Sequence, residues 1–283
     1  MVNQIITYAE EMVGSGHPTK SDTLNRALLI EHGNDGKHSA AAFSAALATL
    51  QGLVIRSKFE FKDTDEIYLN PAVYHHNGTT DQILYWDAKL TYAFTNLAAS
   101  DWSYLYLDDS AIVTAGTNVI TATELVDSVT EPTWSAAKHG WYNGEDRCIF
   151  AVLTNGSSEI LEFWSDQLGI YFASQIVDLS DYDIDNTWGD VSLTAPLLGA
   201  DLGVRVTLRS KYGTANGGFL YWRKNGSSGD GHVAVRTIAV STEGNNSLSV
   251  LVDATNKIEL KMESSSDSTA SVYTNGYDFP VGM

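Results

Sequence analysis

The chain has 283 residues, 43% of them hydrophobic, and carries a formal net charge of -18 from 17 Lys and Arg against 35 Asp and Glu. That is enough chain for about two ordinary domains, with enough apolar content for a packed core. So acidic a composition argues strongly against nucleic acid as a partner, because a binder must neutralise phosphates with Lys and Arg, and equally against an anionic membrane surface. A single cysteine, Cys148, leaves no intramolecular disulfide and no Cys-based zinc site. The opening residues, MVNQIITYAEEMVG, have neither the basic region nor the apolar run of a signal peptide. No stretch reaches the roughly 18 apolar residues that a membrane span needs. These features predict a soluble protein that folds in a reducing cytoplasm.

In chain order, residues 1–15 hold a short apolar run, Ile5 to Ala9, suited to a strand or an anchoring arm. A short helix is expected next. Thr19 suits the N-cap, with Asp22 three residues on as its capping-box partner. Pro18 suits the approach, Gly33 suits the position after the last turn, and Asn34-Asp35-Gly36 continues as a turn. Leu24, Ala27, Leu28 and Glu31 share one face, so the apolar stripe is narrow. A helix of about thirteen residues is marginal alone in water, so this one needs its own domain or copies of itself to lean on. Residues 39–54 read as a second helix. Phe43, Leu47, Leu50 and Val54 recur with the spacing of heptad core positions. Gly52 weakens that helix, and packing on a neighbouring β domain explains the same stripe.

The two segments GHPTKSDTLNR (16–26) and EHGNDGKH (31–38) together resemble the amino-terminal part of tail-fibre-like structural proteins of tailed bacteriophages. The resemblance is tightest over roughly residues 1–40 and looser through Asp101–Phe150. It implies a virion part that assembles as a homotrimer, and it brings no active site with it.

From Ser57 the period changes to two. KFEFKDTDEIYLN, AVYHH, ILYWDAKLTYAF, SYLYL and AIVTAG read as strands, with Asn77-Gly78 as a two-residue hairpin. Residues 116–127 read as a strand followed by one helical turn. GWYNGEDRCIFAVLTNG and SEILEFWSDQLGIYFAS each read as a strand pair around a turn. DLSDYDIDNTWGD, at 178–190, is acidic and aperiodic and reads as a linker. Strands then resume at the spacing of an antiparallel sandwich or jelly roll. In VRVTLRS, Val204, Val206 and Leu208 point one way and Arg205, Thr207 and Arg209 the other. The expected fold is mainly β: a helical attachment and trimerisation module (1–56), a β-rich middle domain (57–177) and a carboxy-terminal jelly-roll-like sandwich (178–283).

Candidate sites follow from residue types. Leu24, Leu28, Phe43, Leu47 and Leu50 are the candidate trimer interface. Asp181, Asp183 and Asp185 alternate like the first ligands of a calcium loop, but Asn186 and Ser192 stand where that loop needs glycine and glutamate. Calcium is the one cofactor left open. The seven histidines match no standard zinc spacing and read as turn-flanking polar residues. Asp101, Asp108, Asp109, Glu145 and Asp146 are glycosidase carboxylates by type alone. With no nucleophile elbow, P-loop or dinucleotide fingerprint, an enzyme is not expected. Trp141, Tyr142, Tyr221 and Trp222 lie near turns and are the candidate carbohydrate contacts, although large aromatics more often fill a core. The expected function is a virion structural protein, a fibre-like or decoration component built in the host cytoplasm. Its partners would be its own copies, other virion proteins and a host-surface glycan. The alternative is a carbohydrate-binding or glycan-cleaving module.

Overall fold

The computed structural model describes residues 54–213, 218–237, 242–263 and 268–283. The expected amino-terminal helices lie outside these residues, as do Leu24, Leu28, Phe43, Leu47 and Leu50, except for Val54, expected to end the second helix, which lies in a strand. What is described is mainly β. Every pairing between its strands is antiparallel.

Two small sheets come first. One has the order β1 (Val54–Ile55), β4 (Ala72–Asn77), β5 (Asp81–Trp86); the other has the order β2 (Phe59–Phe61), β3 (Glu66–Leu69), β6 (Leu90–Ala93). A five-stranded sheet follows. It joins β7 (Trp102–Leu107), β8 (Leu125–Ser128), β9 (Thr133–Ser135), β10 (Gly140–Asn143) and β11 (Asp146–Leu153) in the order β8-β7-β11-β10-β9. β11 contains the run CIFAVL, and it is buried almost throughout, as a strand covered on both faces must be. Burial pushes the Cys148 thiol far above its ordinary pKa, so it behaves as a small hydrophobe.

The second half builds two facing sheets. The first contains β12 (Phe163–Ser165), β13 (Gly169–Asp183), β15 (Gly203–Lys211), β18 (Glu243–Leu251) and β20 (Thr269–Asp278), ordered β12-β13-β20-β15-β18. The other contains β14 (Gly189–Ser192), β16 (Gly218–Lys224), β17 (His232–Thr237) and β19 (Lys257–Met262), ordered β14-β19-β16-β17. Val204, Val206, Leu208 and Val272 of the first and Leu220, Ile258, Leu260 and Met262 of the second are fully buried in the same cluster, which makes the pair sandwich-like. Residues 52–283 form one compact unit. The boundary expected near 177 falls inside β13. Phe59 stacks on Phe150 with centroids 3.9 Å apart, and Phe150 in turn meets Phe279 at 6.0 Å. The last residues are stitched to the first half as well: Trp141 Nε1 donates to the Val281 carbonyl at 3.0 Å and Arg147 Nη2 to the Gly282 carbonyl at 2.9 Å.

Three local expectations are corrected. AIVTAG is not a strand: Asp109–Ala115 is a helix, α1, with Asp108 as N-cap accepting from the Ala111 N–H and Gly116 closing it at φ 61°. Those two end signals outweigh the β-branched residues between them. In 116–127 the order is reversed. A 3-10 turn at Ala122–Glu124, capped by the Thr121–Glu124 box, precedes strand β8. Asn77-Gly78 is not a two-residue turn either. Asn77 pairs with Asp81 across a three-residue loop. Gly78 is required there for space, because a methyl group at that position would overlap the Asp109 carboxylate.

Candidate functional site

The outward face of the β12-β13-β20-β15-β18 sheet gathers a set of side chains that no single segment displays. Trp164 and Tyr171 are directly paired across β12 and β13. A directly opposed pair shares one face of a sheet, and both rings are exposed, 58% for Trp164 and 44% for Tyr171. Tyr171 lies opposite Gly276, and Gly276 lies opposite Arg205. The Arg205 guanidinium reaches back over the Tyr171 ring at 3.9 Å. Ser249 continues this row on β18.

Beside that row runs a ladder of amides and hydroxyls. Gln175 Nε2 donates to Asn275 Oδ1 at 2.9 Å and to Thr207 Oγ1 at 3.2 Å. Asn275 Nδ2 donates to Thr207 Oγ1 at 2.9 Å. Thr207 Oγ1 sits 2.9 Å from Ser247 Oγ. Because the Thr207 oxygen already receives two N–H donors, its own O–H points to Ser247. The Ser247 O–H and Gln175 Oε1 are then left facing solvent, one as donor and one as acceptor. This ladder, with Tyr171, Arg205 and Ser249, lines an open cleft of about 490 Å³ that Trp164 adjoins through Tyr171 without lining it, inside the ~300–1,000 Å³ range typical of ligand sites.

The charges here cancel locally. Arg205 Nε donates to Asp278 Oδ1 at 2.6 Å, and Arg205 Nη2 lies 3.9 Å from Asp166. Ser249 Oγ holds the second oxygen of Asp278 at 2.8 Å. The cleft therefore offers hydroxyls, amides and the Tyr171 ring rather than a free charge, in a molecule whose overall balance is strongly acidic.

The sequence-predicted residues lie elsewhere. Trp141 and Tyr142 are 9% and 3% exposed. Trp141 packs edge-on against Trp134, and the Tyr142 oxygen accepts from the Asn77 N–H at 3.1 Å. Tyr221 and Trp222, as strand neighbours, face opposite sides of their sheet. Tyr221 meets Phe219 and Lys261 outside, and Trp222 packs against the core and His232. Asp183 and Asp185 border a cleft of about 450 Å³ together with Asp190. Asp181 borders a different hollow beside Arg209 and Lys211. The Asp185 carboxylate is occupied by the Thr187 N–H and hydroxyl at 2.7 and 2.5 Å. Among the described residues no group of three or more His, Cys, Asp or Glu side chains is placed to hold a metal ion.

The remaining carboxylates are engaged locally. Asp101 accepts from the Trp102 N–H, Asp108 caps α1, Asp146 accepts from the Asp109 N–H, and Glu145 pairs with Lys138. Asp109 accepts from Thr79 Oγ1 at 2.6 Å and lies 3.0 Å from the buried His76 Nε2. Burial pushes the His76 pKa down, and the nearby Asp109 only partly opposes this, so the ring is neutral and donates to that carboxylate. Burial raises the pKa of Asp178 against hydrogen bonds from Thr274 and Thr194, and that carboxyl lies against the core, away from the cleft.

No protein-family model matches the chain, and no curated protein sequence matches it. Several solved structures are loosely similar, two of them as follows. One is the isomalto-dextranase of Arthrobacter globiformis T6 complexed with panose, at 9% identity and TM-score 0.21 over 78% of this chain and 36% of that one. The other is a Bacillus thuringiensis Cry1Da tryptic core variant, at 9% identity and TM-score 0.21 over 87% of this chain and 56% of that one. The chain thus spans about a third of the first and somewhat over half of the second. At such TM-scores neither likeness carries an argument.

Proposed function

We propose that the chain is a structural component of a tailed-bacteriophage particle, fibre-like or decorating. On this reading it assembles as a homotrimer through its amino-terminal residues, and its β body, with a jelly-roll-like carboxy-terminal part, meets other virion proteins and a host surface. The observation that carries the non-enzymatic half is the state of the carboxylates. Asp101, Asp108, Asp109, Glu145 and Asp146 each have at least one hydrogen-bond or ion-pair partner, and although burial raises the pKa of Asp146, none of the five borders the sheet-face cleft. Asp278 is occupied by Arg205 and Ser249. A glycosidase needs two such groups facing one sugar, one of them free to hold a proton. The phage half is supported by the segments at 16–26 and 31–38, whose pattern resembles attachment segments of tail-fibre-like proteins. A glycan-contacting role for the β body is compatible with this; glycan cleavage is not favoured.

Two measurements test the reading on the full chain. Light scattering at high concentration is expected to give a trimer mass, and a monodisperse monomer counts against it. Immunogold labelling is expected to place the protein on particles, and removal of residues 1–54 to abolish its incorporation while the β body stays folded. Unchanged incorporation refutes the attachment role.

A further inference from the structure

The geometry points to a binding site for a neutral oligosaccharide on the outward face of the β12-β13-β20-β15-β18 sheet, with Trp164 as its stacking platform. The inference rests on reading this chain as a surface-contacting structural protein, and it names what the β body contacts.

Three observations converge on that ligand. The first is an aromatic face with no ring or cation partner among the described residues. Trp164 is more than half exposed and sits beside Tyr171, whose other side is already covered by Arg205. An indole face left in water is what the apolar C–H face of a pyranose ring can cover. The second is a donor and an acceptor farther along the same face, Gln175 on β13 and Ser247 on β18. The Ser247 hydroxyl and Gln175 Oε1 are left over after Thr207 and Asn275 have saturated one another. Ring hydroxyls both donate and accept, so they can satisfy both groups at once. The third is charge. Arg205 is paired with Asp278 and faces Asp166 as well, so among the described residues the cleft holds no free cation to neutralise a uronate, sialate or phosphate. An anionic glycan would meet a protein of net charge -18 with nothing to offset the repulsion.

The shape fits a chain rather than one sugar. Five strands at about 4.8 Å spacing put about 19 Å between β12 and β18, room for several rings laid across the strands. Sheet twist curves that path, which suits a helical or bent glycan more than a flat ribbon.

The test uses the full-length protein and a panel of neutral gluco-, galacto- and manno-oligosaccharides set against hyaluronan and polysialic acid oligosaccharides of equal length. Binding is read by calorimetry and by tryptophan fluorescence. At least one neutral member is expected to bind at least tenfold more tightly than either acidic one. Trp164→Ala is expected to weaken it at least fivefold and Gln175→Ala at least threefold. Both side chains are exposed, so both variants should melt like the wild type. Tyr221→Ala, on the other sheet, is expected to leave affinity unchanged. Binding of the acidic glycans alone, binding indifferent to Trp164→Ala, or no binding by any neutral member overturns the site. A changed mass of Trp164→Ala in light scattering with no change in glycan affinity also overturns it, because the face would then be an interface between copies. Particle incorporation of Trp164→Ala is measured in parallel. If glycan binding fails while incorporation persists, only this site falls; if the wild type is absent from particles, the particle reading falls.

Discussion

Asp127 offers the sharpest test of how this β body is held together. It lies on β8, 2% exposed, and its carboxylate receives the Tyr92 hydroxyl at 2.8 Å, the Thr95 N–H at 3.1 Å, the Thr95 hydroxyl at 3.2 Å and the Asn96 N–H at 2.7 Å. Burial, followed by the adjacent Asp127, pushes the Tyr92 hydroxyl pKa far up, so Tyr92 stays a donor at any ordinary pH. One carboxylate thereby fastens the end of β6 and the turn after it to β8. Asp127→Ala strands two backbone N–H groups and one phenol; the Thr95 hydroxyl can rotate away. At about 1–3 kcal/mol for each orphaned donor, discounted for those that water can reach, the loss is about 4 kcal/mol. For a unit of this size roughly 2–4 °C of melting temperature go with each kcal/mol, so Tm should fall by about 8–16 °C. Tyr92→Phe removes one donor and should cost about 1 kcal/mol. The double variant should cost less than the sum by about 1 kcal/mol, because Tyr92 has nothing to lose once Asp127 is gone. Urea titration and calorimetry of the full chain measure all three. An Asp127→Ala variant within about 1 kcal/mol of wild type, or strict additivity, refutes the reasoning.

Two further outcomes follow from buried groups. His76 has its folded pKa held below the unfolded value of 6.5, first by burial and then by Arg147 and Lys138, against Asp109. The unfolded chain therefore takes up a proton that the folded chain refuses. The stabilisation is complete above pH 6.5 and is lost as pH falls from there toward the folded pKa, at up to about 1.4 kcal/mol per pH unit. His76→Gln should flatten that part of a urea-stability profile, and a wild-type profile that is flat between pH 7 and 5.5 contradicts it. Gly276→Ala should destabilise by about 3 kcal/mol or more, as a methyl there overlaps the Ile170 carbonyl oxygen of the neighbouring strand, which cannot move without breaking the β13–β20 pairing. A melt within a degree of wild type rules that out.

The sequence was legible where period and burial agree. VRVTLRSK alternates as β15 does, with Val204, Val206 and Leu208 inside and Arg205, Thr207 and Arg209 outside. The uninterrupted apolar run in β11 became a strand buried on both faces. DLSDYDIDNTWGD misled because bulges break the period. β13 shifts register between Tyr171 and Ile176, again between Val177 and Leu179, and again before Tyr182, with Asp181 at φ 42°. Its apolar residues therefore fall at uneven intervals and mimic a linker. α1 was missed because its information lies in its two ends. Trp141, Tyr142, Tyr221 and Trp222 drew attention as neighbours in sequence, yet adjacent strand residues face opposite ways. Trp164, Tyr171, Gln175, Arg205, Thr207, Ser247 and Asn275 come from five strands scattered over more than a hundred residues of chain. Only strand pairing brings them together, and a single sequence does not contain the pairing.

The two proposals reinforce one another through arithmetic. An open sheet face with one stacking ring and a few neutral hydrogen bonds gives weak binding. A millimolar site is worth only about 4 kcal/mol. Charge cannot add to it, since exposed charges are screened beyond about 8 Å at physiological ionic strength and the net sign here is negative. A weak neutral contact becomes useful when copies are tethered, because the second and third sites then bind at the effective concentration set by the assembly, and avidity can exceed single-site affinity by about 10²–10⁴. Trimerisation and a shallow saccharide face thus make a coherent pair, and the pairing has a consequence. Monomeric β body and assembled full-length chain should show the same affinity for a short soluble glycan, but only the assembly should hold to a glycan-coated surface. Equal retention of both on such a surface would separate the two ideas and leave assembly without a part in attachment.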